Sequence, residues 1–280
     1  MRIAAIVVVV LCGTAAADED IGTPSTSGEG VVYRKGKPPR FALSGAKAHV
    51  SPASTEAALD GADGLGDKTT IREVTAMAAD KKAYWIAGDV AEFVIGCGSA
   101  PCPPPPPPPP TEYHSSFLWQ LNGTDWDMVA WNIAPVVTGK QQAAAIKNGA
   151  APSAIAKRID AGAEDVVKLF ETSIADPKSF AATVSTRKDV VLYGNEPAER
   201  TVGGAKVKAK LEAWKLGFKV RDGIQAGVTS SKTVAWVAAN VDSTSAKKPK
   251  DKPVPYRVLA LYEKSGKDWK LVHANFAYIP

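Results

Sequence analysis

A hairpin that occurs twice is the feature that most constrains how this chain folds. Residues 113–134 align with residues 256–277 without a gap, and in each copy two apolar runs flank a short polar turn, which is the pattern of a β-hairpin. Eight of the 22 aligned pairs are identical: Tyr113/Tyr256, Leu118/Leu261, Gly123/Gly266, Asp125/Asp268, Trp126/Trp269, Val129/Val272, Asn132/Asn275 and Ala134/Ala277. A match of this length predicts a tandem duplication of one domain rather than a solenoid of short repeats.

The strand before each hairpin also matches, with YWIAGDV at residues 84–90 against AWVAANV at residues 235–241. In the first copy a run of eight prolines, Pro103–Pro110, separates this strand from the hairpin. Proline has no N–H to donate, so we expect the run to stay outside the sheet as a polyproline II rod in a loop at residues 97–112. Either the rod binds an aromatic groove of a partner, or it is an enlarged hairpin loop that the fold tolerates.

The last strand, Trp269–Tyr278, carries apolar side chains at both sets of alternating positions. Successive side chains of a strand point to opposite faces of the sheet. The pattern therefore predicts that both faces of this strand contact packed material.

The first 17 residues have the layout of a secretory signal peptide: Arg2, an apolar run, and the small residues that end at Ala17. The run is shorter than the roughly 20 apolar residues of a membrane span. Cys12 offers a lipoprotein signal as an alternative. We expect a secreted or periplasmic protein without a membrane span, and a disordered tether at residues 18–39, which are rich in Gly, Ser, Thr and charge.

The formal net charge of +5 over 280 residues is mild and does not indicate nucleic-acid binding. Beyond the leader only Cys97 and Cys102 remain, and in an oxidising compartment they are expected to form a disulfide; two free thiols are the alternative. The sequence has no metal-ligand set and no cofactor-binding fingerprint, so we expect neither a metal nor a cofactor. The basic run Lys247–Lys252 is either a solvated hairpin tip or a contact for an acidic partner.

The second half has helical patterns before its strands. Apolar spacing and prolines predict helices at residues 163–176, 177–184 and 205–215, a strand at residues 189–193, and then a long antiparallel meander. In the first half a helix is expected only after the hairpin, at residues 139–148, inside a linker at residues 138–162. Helices on one face of an antiparallel sheet define an α+β architecture.

This order of elements, ending in GKDWKLVHANFAYI, resembles the SnoaL-like domains of the nuclear-transport-factor-2-like superfamily. The resemblance implies two tandem cone-shaped domains, each a curved antiparallel sheet wrapped on helices. The complete copy would occupy residues 163–280, and a degenerate copy with reduced helices residues 40–137. Members of the superfamily include isomerases, cyclases, dehydratases and non-catalytic binding modules, so the fold alone does not decide the activity.

Family members often carry His-x-His in the last strand, where this chain has His273-Ala274-Asn275. His273 and Asp222 are the candidate catalytic acid/base groups, with Asp242 as a further titratable group. The alternative for His273 is a structural histidine bonded to a neighbouring strand, and for Asp222 a turn or bulge residue. The predicted lining of a pocket in the second domain is Tyr193, Trp214, Trp236, Asn240, Tyr256, His273 and Asn275.

Three classes of function follow from these patterns. We favour a non-catalytic module that binds a small apolar ligand or acts as a scaffold. A small-molecule isomerase, cyclase or hydratase is the alternative. The third class is an interaction protein whose two domains pair as an internal pseudo-dimer, or whose chain forms a homodimer.

Overall fold

The computed structural model of the chain describes residues 31–34, 37–41, 47–50, 68–92, 111–123, 125–148, 154–196, 198–245 and 252–277. The leader with Cys12, the pair Cys97 and Cys102, the proline run and most of the basic run lie outside these ranges. The corresponding expectations therefore stay predictions.

The first half forms strands joined by antiparallel pairing. Their bounds are β1 Val31–Arg34, β2 Lys37–Phe41, β3 Lys47–Val50, β4 Lys68–Met77, β5 Ala83–Glu92, β6 Thr111–Asn122 and β7 Asp125–Pro135. β1 and β2 form a separate hairpin, and the other five build a sheet in the order β3-β7-β6-β5-β4.

The second half combines helices with a larger sheet. After α1 Gly139–Lys147 come β8 Arg158–Ile159, α2 Glu164–Ile174, α3 Pro177–Ala182, β9 Val191–Tyr193, β10 Arg200–Val202 and α4 Gly204–Glu212. The meander follows as β11 Leu216–Val228, β12 Val234–Ser245, β13 Pro255–Ser265 and β14 Asp268–Ala277. The seven strands are ordered β10-β9-β14-β13-β12-β11-β8.

The helices of the second half pack on one face of this sheet and fill the cone. Asp176 caps α3, because its carboxylate accepts the Ser179 N–H at 2.8 Å, and Pro177 occupies the first helical turn. The buried cone core joins side chains of α2, α3 and α4 to alternate residues of the meander: Val166, Phe170, Ile174, Phe180, Val207, Leu211, Phe218, Ala235, Val237, Val258, Ala260, Tyr262 and Phe276. The predicted α+β fold, with a curved antiparallel sheet around helices, is confirmed.

Several details differ from the expectations. The hairpin β1–β2 lies partly in residues 18–39, where a disordered tether was predicted; Val31, Val32 and Tyr33 are good strand formers that the composition argument overlooked. The strands expected at residues 216–221 and 225–229 are one strand, β11, with a bulge between Val220 and Ile224. The short strands β8 and β10, of two and three residues, were not predicted.

The meanders β4–β7 and β11–β14 have closely matching pairing. In the first, Leu118 pairs with Ala130 and Trp119 with Met128, across a bulge. In the second, the aligned residues pair in the same way, with the bulge at the aligned place, between Leu261/His273 and Tyr262/Leu271. The turns agree as well: the aligned pairs Gly123/Gly266 and Lys81/Lys232 all have positive φ, at 64°, 63°, 60° and 57°.

The two sheets pack face to face through the sides that point away from the cone core. The apolar cluster between them contains Ala76, Ala78, Ala83, Trp85, Leu118, Val129 and Ala130 from the first sheet and Val234, Trp236, Ala238, Leu259, Leu261 and Val272 from the second. The aligned residues Ala134 and Ala277 form a small buried cluster of their own. Contact between equivalent positions is what a pseudo-two-fold relation between the two sheets would give.

The described part of the chain has no helix long and apolar enough to cross a membrane.

The shared turn geometry predicts that Gly123→Ala and Gly266→Ala each lower the free energy of unfolding by about 1 kcal/mol. A Cβ built at either glycine meets nothing within 4 Å, so the cost is the left-handed backbone alone. Chemical denaturation measures the change, and the matched variants Gly123→Asn and Gly266→Asn should lose less because asparagine tolerates this conformation. A cost at one glycine and none at the other would show that the two turns are not equivalent.

Candidate functional site

The seven predicted pocket residues divide between the two faces of the second sheet. Trp214 and Tyr256 pack against the cone core. The other five lie on the face toward the first sheet: Tyr193, Trp236, Asn240, His273 and Asn275. The structure therefore does not bring the seven together in one pocket.

Aromatic side chains close most of the cone. Phe276 lies at its centre, with the ring of Phe218 at 5.0 Å, Trp214 at 5.2 Å and Phe180 at 6.2 Å between centroids. The edge-to-face contacts of Phe276 with Trp214 and Phe180 are favourable for aromatic rings. The space that a cone-shaped domain would offer a ligand is thus largely occupied by its own side chains.

A cavity of about 180 Å³ remains at the mouth of the cone. Its lining is Gly194, Asn195, Glu199, Trp214, Lys215, Leu216, Phe218, Tyr256 and Phe276. Gln142 of α1 reaches this region and donates from Nε2 to the Tyr256 hydroxyl at 2.9 Å. Ligand pockets for drug-sized molecules typically measure about 300–1,000 Å³, so this cavity takes only a small compound.

A more open groove of about 720 Å³ runs between α2, α3 and the β13–β14 turn. Hydroxyl protons on its wall are already used: Thr172 donates to the Lys168 carbonyl, Ser179 to the Asp176 carboxylate and Thr183 to the Phe180 carbonyl, each at 2.7 Å. The groove lining also has side-chain donors at the β13–β14 turn, namely Lys267, Trp269 and Lys270.

His273 is completely buried between the two sheets, and both of its ring nitrogens are engaged. Nδ1 lies 3.0 Å from the Val191 carbonyl oxygen, and Nε2 lies 2.7 Å from the hydroxyl of Ser116 in the first sheet. Because a carbonyl only accepts, Nδ1 carries the proton and Nε2 accepts from Ser116. The Ser116 oxygen in turn accepts from Asn275 Nδ2 at 3.0 Å, which completes a directed chain of hydrogen bonds across the interface.

Burial lowers the pKa of His273 to about 4, and proximity to His114 adds to this effect, while the hydrogen bond to Val191 opposes it. The imidazole is therefore neutral at neutral pH. A general base needs contact with its substrate and a pKa near the working pH, and His273 has neither. The geometry matches a structural histidine that joins two strands of one sheet to the other sheet.

A second polar cluster lies beside the first, around Tyr193. His114 Nδ1 lies 2.9 Å from the Gly194 carbonyl oxygen, which can only accept, so Nδ1 carries the proton and donates it. The His114 ring stacks on Tyr193 with 4.3 Å between centroids. Asp89 lies 3.7 Å from both His114 Nε2 and Arg200 Nε. Burial raises the pKa of the Tyr193 hydroxyl, which keeps it protonated.

Asp89 and His114 were not among the predicted site residues. They are direct neighbours across β5 and β6, so the register of that hairpin would have placed them together. Their contact with Tyr193 depends on the packing of the two sheets, for which the sequence carries no signal.

Asp222 lies in the β11 bulge and serves a separate network. Its carboxylate accepts from Asn240 Nδ2 at 2.9 Å and from the Ile155 N–H at 3.3 Å, and Asn240 Oδ1 accepts from Arg257 Nε at 3.1 Å. Burial lowers the pKa of the Arg257 guanidinium, and the charge of Asp222 opposes that shift. Asp242 forms an ion pair with Arg221 at 3.2 Å. The predicted acid/base candidates thus take part in different networks.

Arg187 connects the sheets at another place. It donates to Asp189 at 2.6 Å, to Glu263 at 2.7 Å and to the Met77 carbonyl at 2.9 Å, and it lies 5.0 Å above the ring of Trp85. Its partners in the first sheet are about a hundred residues away in sequence, so local patterns could not identify this role. Among the described residues no group of three or more His, Cys, Asp or Glu side chains is arranged to hold a metal.

Comparison with known proteins gives structural neighbours only. No family model matches the chain, and no curated protein matches it. Among solved structures, a candidate ketosteroid isomerase from Parabacteroides distasonis shares 20% identity over 41% of this chain and 86% of its own, with a TM-score of 0.34. A candidate calcium/calmodulin-dependent protein kinase II association domain from Xanthomonas campestris has 20% sequence identity to this chain. The match covers 47% of this chain and 97% of that domain, with a TM-score of 0.38.

A nuclear transport factor 2-like superfamily protein from Salmonella enterica has 12% sequence identity to this chain. The match covers 42% of this chain and 92% of that protein, with a TM-score of 0.35. Identities of 12 to 20% say nothing about activity. The functional argument therefore depends on the contacts within this chain.

The burial of His273 predicts how stability depends on pH. The imidazole has a pKa near 6.5 in the unfolded chain and about 4 in the folded protein, so the unfolded chain binds the proton more readily. The stability contributed by neutral His273 is therefore fully present above about pH 6.5 and is lost as the pH falls toward 4. The expected loss is about 3 kcal/mol between pH 7 and pH 4.

Chemical denaturation over this pH range measures the loss, with His273→Gln as the control, because glutamine does not titrate and should flatten this part of the curve. NMR titration of the imidazole should find it neutral at pH 5. An imidazole that titrates near pH 6.5 would contradict the buried, hydrogen-bonded geometry.

Proposed function

We propose that this chain is a non-catalytic scaffold in which two tandem SnoaL-like domains form an internal pseudo-dimer. The observation that carries the proposal is the position of His273. The titratable group in the family-like motif is fully buried and hydrogen-bonded to Ser116 of the other sheet, so it is part of an interface rather than of a reaction site.

The cone of the second domain also favours a scaffold. Its interior is filled by Phe180, Phe218 and Phe276, and the cavity at the mouth is below the usual size of a ligand pocket. Catalysis by acid/base groups requires a substrate held beside them in a space that excludes water. Asp222, the other candidate, uses its carboxylate to hold Asn240 and the Ile155 N–H.

The matched registers, bulges and turns of the two meanders support the tandem duplication. Domains of this superfamily often pair through their sheets, and a covalent tandem provides the partner at a high effective concentration. Each half then covers an apolar sheet face that would otherwise be exposed to water. Loss of catalytic groups in one or both copies is compatible with this role, since packing alone is required of them.

We further propose that residues 1–17 act as a secretory signal peptide, so that the scaffold works outside the cytosol. There the pair Cys97 and Cys102 would be oxidised to a disulfide at the base of the proline-rich loop.

Binding of a small apolar compound at the cone mouth is the second candidate function. The specific observation is the aromatic wall formed by Trp214, Phe218 and Tyr256, with Glu199 and Lys215 among the lining residues. A ligand the size of one aromatic ring would fit the cavity. Quenching of Trp214 fluorescence by such compounds, lost in Trp214→Phe, would support this function.

The catalytic alternative is tested with the full chain against small carbonyl and polyketide-like substrates. We expect the wild type to show no turnover above background. The variants His273→Gln and Asp222→Asn should give the same background rate as the wild type. A positioned acid/base group contributes about 10²–10⁴-fold in rate. Turnover by the wild type that falls at least about a hundredfold in either variant, with folding intact, would establish an enzyme and overturn the proposal.

A further inference from the structure

We infer that the side chains at the interface make the pairing of the two sheets selective. Each sheet pairs with the sheet of the other half of the chain, and pairing with a second copy of itself is disfavoured. This inference rests on the proposed internal pseudo-dimer. It names the partner of each sheet face: the first sheet's partner is the second sheet of the same chain, and self-pairing of either sheet is disfavoured.

Two aligned positions, one on each strand of the hairpin, carry this selectivity, and the two copies differ at both. In the ungapped alignment Ser116 corresponds to Leu259, and Ala130 corresponds to His273. One copy therefore carries serine with alanine, and the other carries leucine with histidine. All four side chains are fully buried.

The pseudo-two-fold brings these residues together in complementary pairs. His273 bonds to Ser116 at 2.7 Å. Under a two-fold relation a contact between two positions implies the contact between their equivalents, which are Ala130 and Leu259. Both belong to the large apolar cluster between the sheets. A polar pair thus lies on one side of the axis and an apolar pair on the other.

Pairing of like sheets would break both matches. Two copies of the second sheet would place His273 against Leu259 twice, and each imidazole would lose the hydroxyl that donates to it. Two copies of the first sheet would place Ser116 against Ala130 twice, with a buried hydroxyl and a smaller apolar contact. Each buried polar group without a partner weakens association by about 5- to 150-fold.

A buried asparagine shows the cost of this asymmetry. The aligned residues Asn275 and Asn132 are both inaccessible to solvent. Asn275 donates to Ser116 at 3.0 Å, whereas the side-chain amide of Asn132 makes no hydrogen bond within the described part of the chain. The equivalent of Ser116 on its side is Leu259, which has no polar atom to offer. The asymmetry that sets the pairing therefore leaves one amide unpartnered.

The test exchanges residues between the copies in the full chain. Ser116→Leu removes the hydroxyl from His273, and His273→Ala removes the imidazole from Ser116. We expect each single variant to lower the folding equilibrium constant by at least about 10-fold. The double variant S116L/H273A recreates the apolar Leu–Ala pair, and it should lose at least about fivefold less than the product of the two single losses.

Denaturant unfolding of the four proteins measures these constants. Losses that multiply to within about twofold would overturn the inference, because residues that do not meet act independently. That outcome would leave the non-catalytic proposal standing, since turnover is not involved.

A second pair of variants decides the question if Ser116→Leu does not fold. Asn132→Leu should leave the folding constant unchanged or raise it, because it removes an unpartnered amide. Asn275→Leu should lower it by at least about fivefold, because it removes the donor to Ser116. Equal changes of the folding constant at these two aligned positions would contradict the proposed selectivity of the interface.

Discussion

The face-to-face packing of the two sheets is the constraint on which the rest of this structure depends. An antiparallel meander with apolar side chains on both faces must cover both of them. In the second half the helices cover one face, and the first sheet covers the other. The inner strands β12, β13 and β14 are consequently buried on two sides, and polar side chains on their outer faces need partners from across the interface.

Those partners engage the polar side chains that the sequence offered as site candidates. His273, Asn275 and Tyr193 lie on the sheet face that the first sheet covers. In this chain they meet Ser116 and His114 of the first sheet. Burial lowers the pKa of His273. The hydrogen bond from Nδ1 to the Val191 carbonyl fixes the tautomer of the imidazole. The same burial that stabilises the pair of sheets shields the imidazole from solvent and keeps it neutral at neutral pH.

Much of the fold follows from the sequence, because long periodic segments carry strong signals. The repeated hairpin, the three helices of the second half and the terminal meander all lie within a few residues of their predicted places. Apolar residues at both sets of positions in the last strand correctly indicated two packed faces. What that pattern did not indicate was which face the helices cover.

The site was harder to predict for the same reason. Alternation places His273 and Asn275 on one face and Ala274 and Phe276 on the other, yet nothing local assigns either face to a pocket. The β-bulge at Val272 and His273 also turns two successive side chains toward the interface, which simple alternation does not predict. The role of Arg187 depends on Glu263 and Met77, which are remote in sequence.

If the two halves of one chain pair through their sheets, cysteines introduced at positions 134 and 277 should form a disulfide within the chain. Ala134 and Ala277 form a buried cluster between the sheets. Cysteines need Cβ atoms about 3.5–4.5 Å apart to form a bond, a separation that two touching alanines approach. In a chain whose natural cysteines are replaced by serine, the variant A134C/A277C should oxidise to a monomer with an internal disulfide and no free thiol. Two free thiols, or a disulfide-linked dimer at low protein concentration, would contradict the account.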